Sequence, residues 1–271
     1  MRHRLPSLVS FLGLAALAVA CQRDHGGLEE HMNERFDRLE KQIADIKATG
    51  GAKGGPGAQQ RPQRPRPKPD VTYSIPVDKA PIRGAKNALV TVVWGSEFAC
   101  PYCEQSRPVV DQILEEYPKD VRIAYKNYVV HPPIATTPAL AACAAHKQGK
   151  YEAMEPLIWD KGFKAGRNLS ADNMEKLAGE IGLNIDKFKS DMNGEECKQH
   201  VREDQSQLGA VGVSGTPAFY VNGRWLQQRS PEGFKALIDE ELKKAKERVA
   251  QGTKPERYYE EWVVAKGEKK L

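Results

Sequence analysis

Cys100-Pro101-Tyr102-Cys103 is the stretch of this chain best suited to chemistry. A cysteine in the first turn of a helix faces unpaired backbone N–H groups and the positive end of the helix dipole. Both favour the thiolate, which is the nucleophilic form. A partner three residues on lies one turn away, where it can attack a mixed disulfide and release the substrate. That assigns attack to Cys100 and resolution to Cys103. Pro101 suits the first helical position, because its missing N–H would have no partner there. Half a zinc site has the same spacing, so the choice between redox and metal chemistry rests on the elements around the motif.

Leu89-Val90-Thr91-Val92-Val93-Trp94 reads as a buried strand, a short polar turn follows, and Val109, Val110, Ile113 and Leu114 carry a helical pattern. The motif therefore falls at a strand-to-helix junction. A second strand is predicted over Val121 to Val130, ended by His131-Pro132-Pro133, with helices punctuated by Gly and Asn over about 135–211. Ser214-Gly215-Thr216-Pro217 leads into a strand from Ala218 to Val221, an Asn222-Gly223 hairpin turn and a short strand from Arg224 to Leu226. A closing helix is predicted from Ser230-Pro231 to about Ala250, and a tail follows over 251–271, where Tyr258, Tyr259 and Trp262 among charges suit packing on the domain or contact with a partner.

The N-terminal part has a different character. Arg2, His3 and Arg4 precede an apolar run from Leu8 to Ala20, the pattern of a secretory signal over 1–20, too short to span a bilayer comfortably. Ala18-Val19-Ala20 fits ordinary cleavage, whereas Leu17-Ala18-Val19-Ala20-Cys21 is similar to a bacterial lipoprotein signal that would acylate Cys21 and anchor the chain to a membrane. Over 21–48 the residues Met32, Phe36, Leu39, Ile43 and Ile46 alternate steps of four and three, an a/d seam that predicts either self-association through 28–46 or an amphipathic helix docked on its own domain. The Gly/Pro/Arg-rich stretch 49–70 cannot build a core and reads as a linker. Much of the excess of 41 basic over 36 acidic residues lies there, which argues against a nucleic-acid groove. A mean hydropathy of −0.60 excludes a polytopic membrane protein, and five cysteines in 271 residues are too few for a disulfide-dense scaffold.

Ser96-Glu97-Phe98-Ala99-Cys100-Pro101-Tyr102-Cys103, Pro108 in the following helix and Val213-Ser214-Gly215-Thr216-Pro217-Ala218-Phe219 together resemble the DsbA-like branch of the thioredoxin superfamily, over roughly 88–250. The resemblance implies an α/β thioredoxin fold over 71–250, with a helical insertion at about 135–211. It also implies a cis-proline at Pro217 facing the cysteine pair, substrate pairing along Thr216, and active-site support from Pro101 and Tyr102. Thiol–disulfide exchange with cell-envelope proteins is then expected, with a membrane redox partner, no cofactor beyond Cys100/Cys103 and no metal. One departure concerns mechanism: Trp94 stands six residues before the first cysteine, where many relatives carry a buried acid, so either Glu97 or a water takes the proton relay or resolution is slow. Tyr102 replaces the histidine of strongly oxidising relatives, which points to a milder oxidant or an isomerase-reductase. A redox-inactive peptide-binding module is the alternative.

If Cys21 is acylated, four cysteines remain. Cys143 and Cys197 are expected to form a structural disulfide closing a loop of about 54 residues, worth roughly 4 kcal/mol in the chain-entropy model. The pairs Cys143/His146 and Cys197/His200 could instead supply a zinc site. His131, between a strand and two prolines, is expected in a solvated loop, the alternative being a place at the mouth of the active site.

Overall fold

In the computed structural model, Val90, Val92 and Trp94 of strand β2 (Val90–Ser96) alternate with Thr91, Val93 and Gly95, and every one of them is buried. Both faces of the strand are covered, which is why its sequence is nearly continuously apolar rather than alternating. The structure describes residues 34–35, 37–42, 44–45 and 65–271, and the chain divides into two units, Met1–Gln63 and Arg64–Leu271. In the first unit the described residues are helical and exposed, Leu39 included. Segment 1–20, Cys21 and the seam residues Met32, Phe36, Ile43 and Ile46 lie outside the described residues.

The second unit is built on a five-stranded sheet in the order β1-β3-β2-β4-β5, the other strands being β1 (Ile82–Gly84), β3 (Val121–Asn127), β4 (Ala218–Val221) and β5 (Arg224–Trp225). β2 and β3 run parallel, joined by helix α1 (Pro101–Glu116), and the remaining pairings are antiparallel. On one face Val92, Trp94, Ile123 and Phe219 meet Val110 and Ile113 of α1 and Phe234 and Ile238 of α7 (Pro231–Ala250). Between β3 and β4 run α2 (Pro132–Lys147), α3 (Tyr151–Leu157) with a π turn at Ile158–Phe163, α4 (Ala171–Glu180), α5 (Ile185–Asn193) and α6 (Glu195–Ala210). The opposite face packs Val93, Ala124 and Tyr220 on Leu208 and Val211. Gly95 allows this close approach, since a Cβ there would meet Leu208 at 3.0 Å.

The hairpin between β4 and β5 turns on Asn222 (φ 44°) and Gly223 (φ 79°), the two positive φ values a type I′ turn needs. The Asn222 side chain also accepts from Thr91 N at 2.8 Å and donates to Leu89 O at 3.0 Å, fixing the start of β2. Cys143 of α2 and Cys197 of α6 form a disulfide with a Cα–Cα distance of 5.7 Å. Both sulfurs are thereby consumed, and no metal-binding group of three or more His, Cys, Asp or Glu occurs among the described residues. Below the disulfide, Lys126 of β3 and Asp204 of α6 form a buried ion pair at 2.6 Å, and Asp204 also accepts from Asn127 N at 2.9 Å.

Three boundaries differ from the sequence expectation. β3 ends at Asn127 rather than Val130: Tyr128 N still donates to Ser96 O at 2.9 Å, but Val129 N then turns to Gln205 Oε1 at 2.6 Å and Val130 N to Glu97 Oε2 at 2.7 Å. The end of the expected linker belongs to the globular unit. There Pro67 is buried, Lys68 N donates to Tyr73 Oη, and Pro69 O accepts from Arg224 Nε. The globular unit also runs past Ala250, since the tail 251–271 packs on the domain: Tyr258, Tyr259 and Val263 are buried against the opposite face of the sheet. Tyr259 Oη donates to Ile75 O at 2.9 Å, and Ser74 Oγ to Val264 O at 2.7 Å.

Candidate active site

Cys100 is the N-cap of α1, with extended backbone (φ −91°, ψ 116°), and Pro101 opens the helix behind it. Its carbonyl accepts from Cys103 N at 3.1 Å and Glu104 N at 3.2 Å, which starts the helix and places the two sulfurs on one side of its first turn. Pro101 and Tyr102 are exposed beside the pair, Tyr102 to 66%. Cys103 is fully buried. Cys100 is buried too, at 4% exposure, so the two thiols differ in their hydrogen bonds rather than in burial alone. The hydrogen bond from the Cys103 side chain, followed by contacts with the Thr216 side chain and the backbone of Cys103 and Tyr102, pulls the Cys100 thiol down to about 6. Burial, together with the neighbouring Cys100, pushes the Cys103 thiol far up, against a lesser downward pull from the Ser96 side chain.

The loop before β4 closes the site from the other side. The Thr216–Pro217 peptide is cis, and Cys100 Sγ lies 3.5 Å from Thr216 O. Tyr128 Oη donates to Val213 O at 2.6 Å, Tyr220 Oη to Val211 O at 2.7 Å, and Arg229 Nη1 to Pro217 O at 3.0 Å. Along this loop runs a groove of about 320 Å³, lined by Ser214, Gly215, Thr216, Pro217 and Arg229 among others. Beneath the motif Trp94 stacks on Phe219 with centroids 5.4 Å apart, and Phe98 packs on Trp159 of the π turn at 5.1 Å.

Sequence reading placed Cys100, Cys103, Thr216 and Pro217 in one site, and the fold brings all four together. Glu97 is held by the residues that open α2. Its buried carboxylate accepts from Val130 N and His131 N and contacts His131 Nδ1. His131 is accordingly a partner of that carboxylate at the N-cap of α2, with its ring half exposed, rather than a free loop side chain. Tyr128, Tyr220 and Arg229 were not singled out from sequence. Nothing in their local spacing announces that they hold a distant loop.

The family model for the DSBA-like thioredoxin domain matches residues 91–239, more than half of the chain, and the chain belongs to that family. Its members use a redox-active disulfide of their own as the reacting group and act on protein thiols and disulfides. Among curated proteins the chain is similar to the Na(+)/H(+) antiporter NhaA 3 of Salinispora tropica, 31% identical over 171 residues, covering 62% of this chain and 25% of that protein. It is also similar to NhaA 1 of Salinispora arenicola, 31% identical over 158 residues, covering 57% and 23%. The chain thus spans about a quarter of the length of the curated relatives it matches. Among solved structures, oxidised BdbD from Bacillus subtilis superposes with a TM-score of 0.59 at 20% identity, covering 64% of this chain and 98% of that one. Wolbachia pipientis α-DsbA1 superposes with a TM-score of 0.55 at 16% identity, covering 65% and 96%. At these identities the two structures speak for the fold alone.

Proposed function

We propose that this protein is an exported thiol–disulfide oxidoreductase that exchanges disulfides with proteins of the cell envelope. The observation that carries the reading is the geometry of the pair: Cys100 caps α1 with its Sγ 3.5 Å from Thr216 O beside the cis Thr216–Pro217 peptide, and Cys103 lies fully buried within the first turn, an arrangement that pulls the Cys100 thiol down and pushes the Cys103 thiol up. Working as a reductant, the Cys100 thiolate attacks one sulfur of a substrate disulfide, forming a mixed disulfide and expelling the other substrate sulfur as a thiolate. Cys103 then loses its proton and attacks the Cys100 sulfur, closing the Cys100–Cys103 disulfide and releasing the second substrate thiolate. Oxidation of a substrate dithiol is the same sequence reversed. The groove along Thr216 and Pro217 suits an extended substrate segment, whose N–H groups would pair with the Thr216 backbone.

Membrane anchoring through Cys21, self-association through 28–46 and a membrane redox partner complete the proposal. The apolar run 8–20 and the heptad seam support the first two. The test is disulfide exchange with a protein substrate such as insulin. Cys100→Ser abolishes turnover and mixed-disulfide formation, whereas Cys103→Ser abolishes turnover and accumulates the mixed disulfide. Full turnover by Cys100→Ser would contradict the assignment.

A further inference from the structure

The groove beside the cysteine pair carries charge of one sign. It follows the loop before β4, whose Thr216 O lies 3.5 Å from Cys100 Sγ, so a chain held in it brings its sulfur to the nucleophile. Its lining includes two arginines, Arg66 and Arg229, and no aspartate or glutamate. Both arginines are exposed, and neither pairs with a carboxylate among the described residues. Elsewhere in the globular unit Arg83, Arg107, Arg202, Arg224 and Arg257 all do.

Arg229 follows β5 and spends one N–H on Pro217 O at 3.0 Å, which leaves the rest of its guanidinium fork for a ligand. Arg66 belongs to the Arg/Pro-rich stretch, and the end of that stretch is fastened down. Pro67 is buried and lines the groove, Lys68 N donates to Tyr73 Oη at 3.0 Å, and Pro69 O accepts from Arg224 Nε at 2.9 Å. Pro65 and Pro67 on either side of Arg66 have no N–H to offer. The segment therefore lacks the donors of a pairing strand and contributes a charged side chain to the groove.

We propose that Arg66 and Arg229 select substrates whose reacting cysteine sits in an extended segment with acidic residues beside it. This inference rests on the oxidoreductase reading above and names the substrate class of the same groove. Arg229 is anchored on Pro217 O, one residue beyond the carbonyl that faces Cys100. An extended chain rises about 3.3 Å per residue, so an acid within about three residues of the cysteine comes within reach of a guanidinium. The fork suits a carboxylate, which accepts two parallel N–H bonds from it. The same charge offsets repulsion between an acidic segment and the Cys100 thiolate, whereas a lysine-bearing segment meets like charge. In the reaction the Cys100 thiolate attacks one substrate sulfur, the Cys100–substrate S–S bond forms, and the other substrate sulfur leaves as a thiolate. The arginines act on this step through binding and take no part in bond making.

The test follows mixed-disulfide formation at Cys100 in the mature full-length Cys103→Ser protein, where the reaction stops at that stage. The probes are symmetric disulfide dimers of peptides that differ only in the residues flanking the cysteine, which are Glu, Gln or Lys. Acid quench and peptide mass give each rate, divided by that dimer's rate with 2-mercaptoethanol to remove the effect of flanking charge on the sulfur itself. Near pH 7 and about 20 mM salt the Glu dimer reacts at least about fivefold faster than the Gln dimer and the Lys dimer more slowly than both, and the spread narrows at about 500 mM salt. Arg66→Glu and Arg229→Glu each shrink the Glu-over-Lys ratio at least about threefold, the double variant inverts it, and Arg66→Lys keeps its direction. Arg66 has no hydrogen bond or ion pair to lose among the described residues, so its two variants isolate the charge even if Arg229→Glu, deprived of the bond to Pro217 O, does not fold. Equal normalised rates for the three dimers, a preference undiminished at high salt, or one that Arg66→Glu leaves at full size would each overturn the proposal. If no dimer forms a mixed disulfide with Cys100, the oxidoreductase reading falls, and the selectivity with it.

Discussion

Cys100 carries the most direct residue-scale consequence. Its thiol falls from an ordinary value of 9.0 to about 6 in the folded reduced protein. Between those values the unfolded chain keeps a proton that the folded state has released. The stability this group contributes is therefore complete above about pH 9 and is lost as pH falls through 6. Iodoacetamide alkylation of the reduced protein should accordingly rise with a midpoint near pH 6, with Cys103 unreactive throughout. A single midpoint near 9 would contradict the geometry. Tyr102 sits exposed beside the pair, so Tyr102→His adds a partly positive neighbour to the thiolate. It should lower the Cys100 midpoint further, each unit making the potential about 30 mV more oxidising, as glutathione equilibration would show. At this scale much was readable: the CxxC spacing and the Thr-Pro pair named the site. The separate roles of the two thiols were readable from the helix N-terminus, whereas the full burial of Cys103 and the approach of Thr216, 116 positions from Cys100, were not.

Elements hold these residues through a few long-range ties. The disulfide between α2 and α6 closes a loop of 54 residues around most of the helical insertion. Replacing both cysteines by serine should cost up to about 4 kcal/mol in urea unfolding, while the exchange activity of the folded protein persists. Asp204 joins α6 to β3 through Lys126 and Asn127 in a buried setting. Asp204→Ala leaves the lysine charge uncompensated and should cost about 3–5 kcal/mol, whereas loss of an exposed pair such as Lys79–Glu203 should leave the urea midpoint nearly unchanged. Strand β2, the Asn222-Gly223 hairpin and the closing helix from Ser230 were legible because local patterns encode them. β1 was not, since three residues at a sheet edge carry no period. The end of β3 was misplaced because side-chain acceptors on Glu97 and Gln205 replaced the ladder, a tertiary effect with no local sign.

For the whole molecule the globular unit is longer than its family-like span. Tyr258, Tyr259 and Val263 close the face of the sheet opposite α1, and Leu271 N reaches Ala210 O. Truncation after Ala250 should expose Tyr73, Ile75 and Tyr220 and give insoluble or protease-sensitive protein, despite retaining the family-matched residues 91–239. A soluble, cooperatively melting truncation would contradict that packing. Sequence reading left this tail undecided because aromatic residues among charges suit a docked segment and a partner surface equally. The central claim is that Cys100 and Cys103 form a reversible redox couple, and it is tested most directly by equilibrating the mature protein in glutathione buffers and reading thiol trapping by mass. The account predicts one two-electron transition confined to Cys100/Cys103, with Cys143/Cys197 oxidised throughout. Its potential should lie between those of thioredoxin and DsbA, about −270 and −120 mV, as a nucleophile near 6 requires. Absence of any reversible two-electron change at Cys100/Cys103 would contradict it and leave a peptide-binding module.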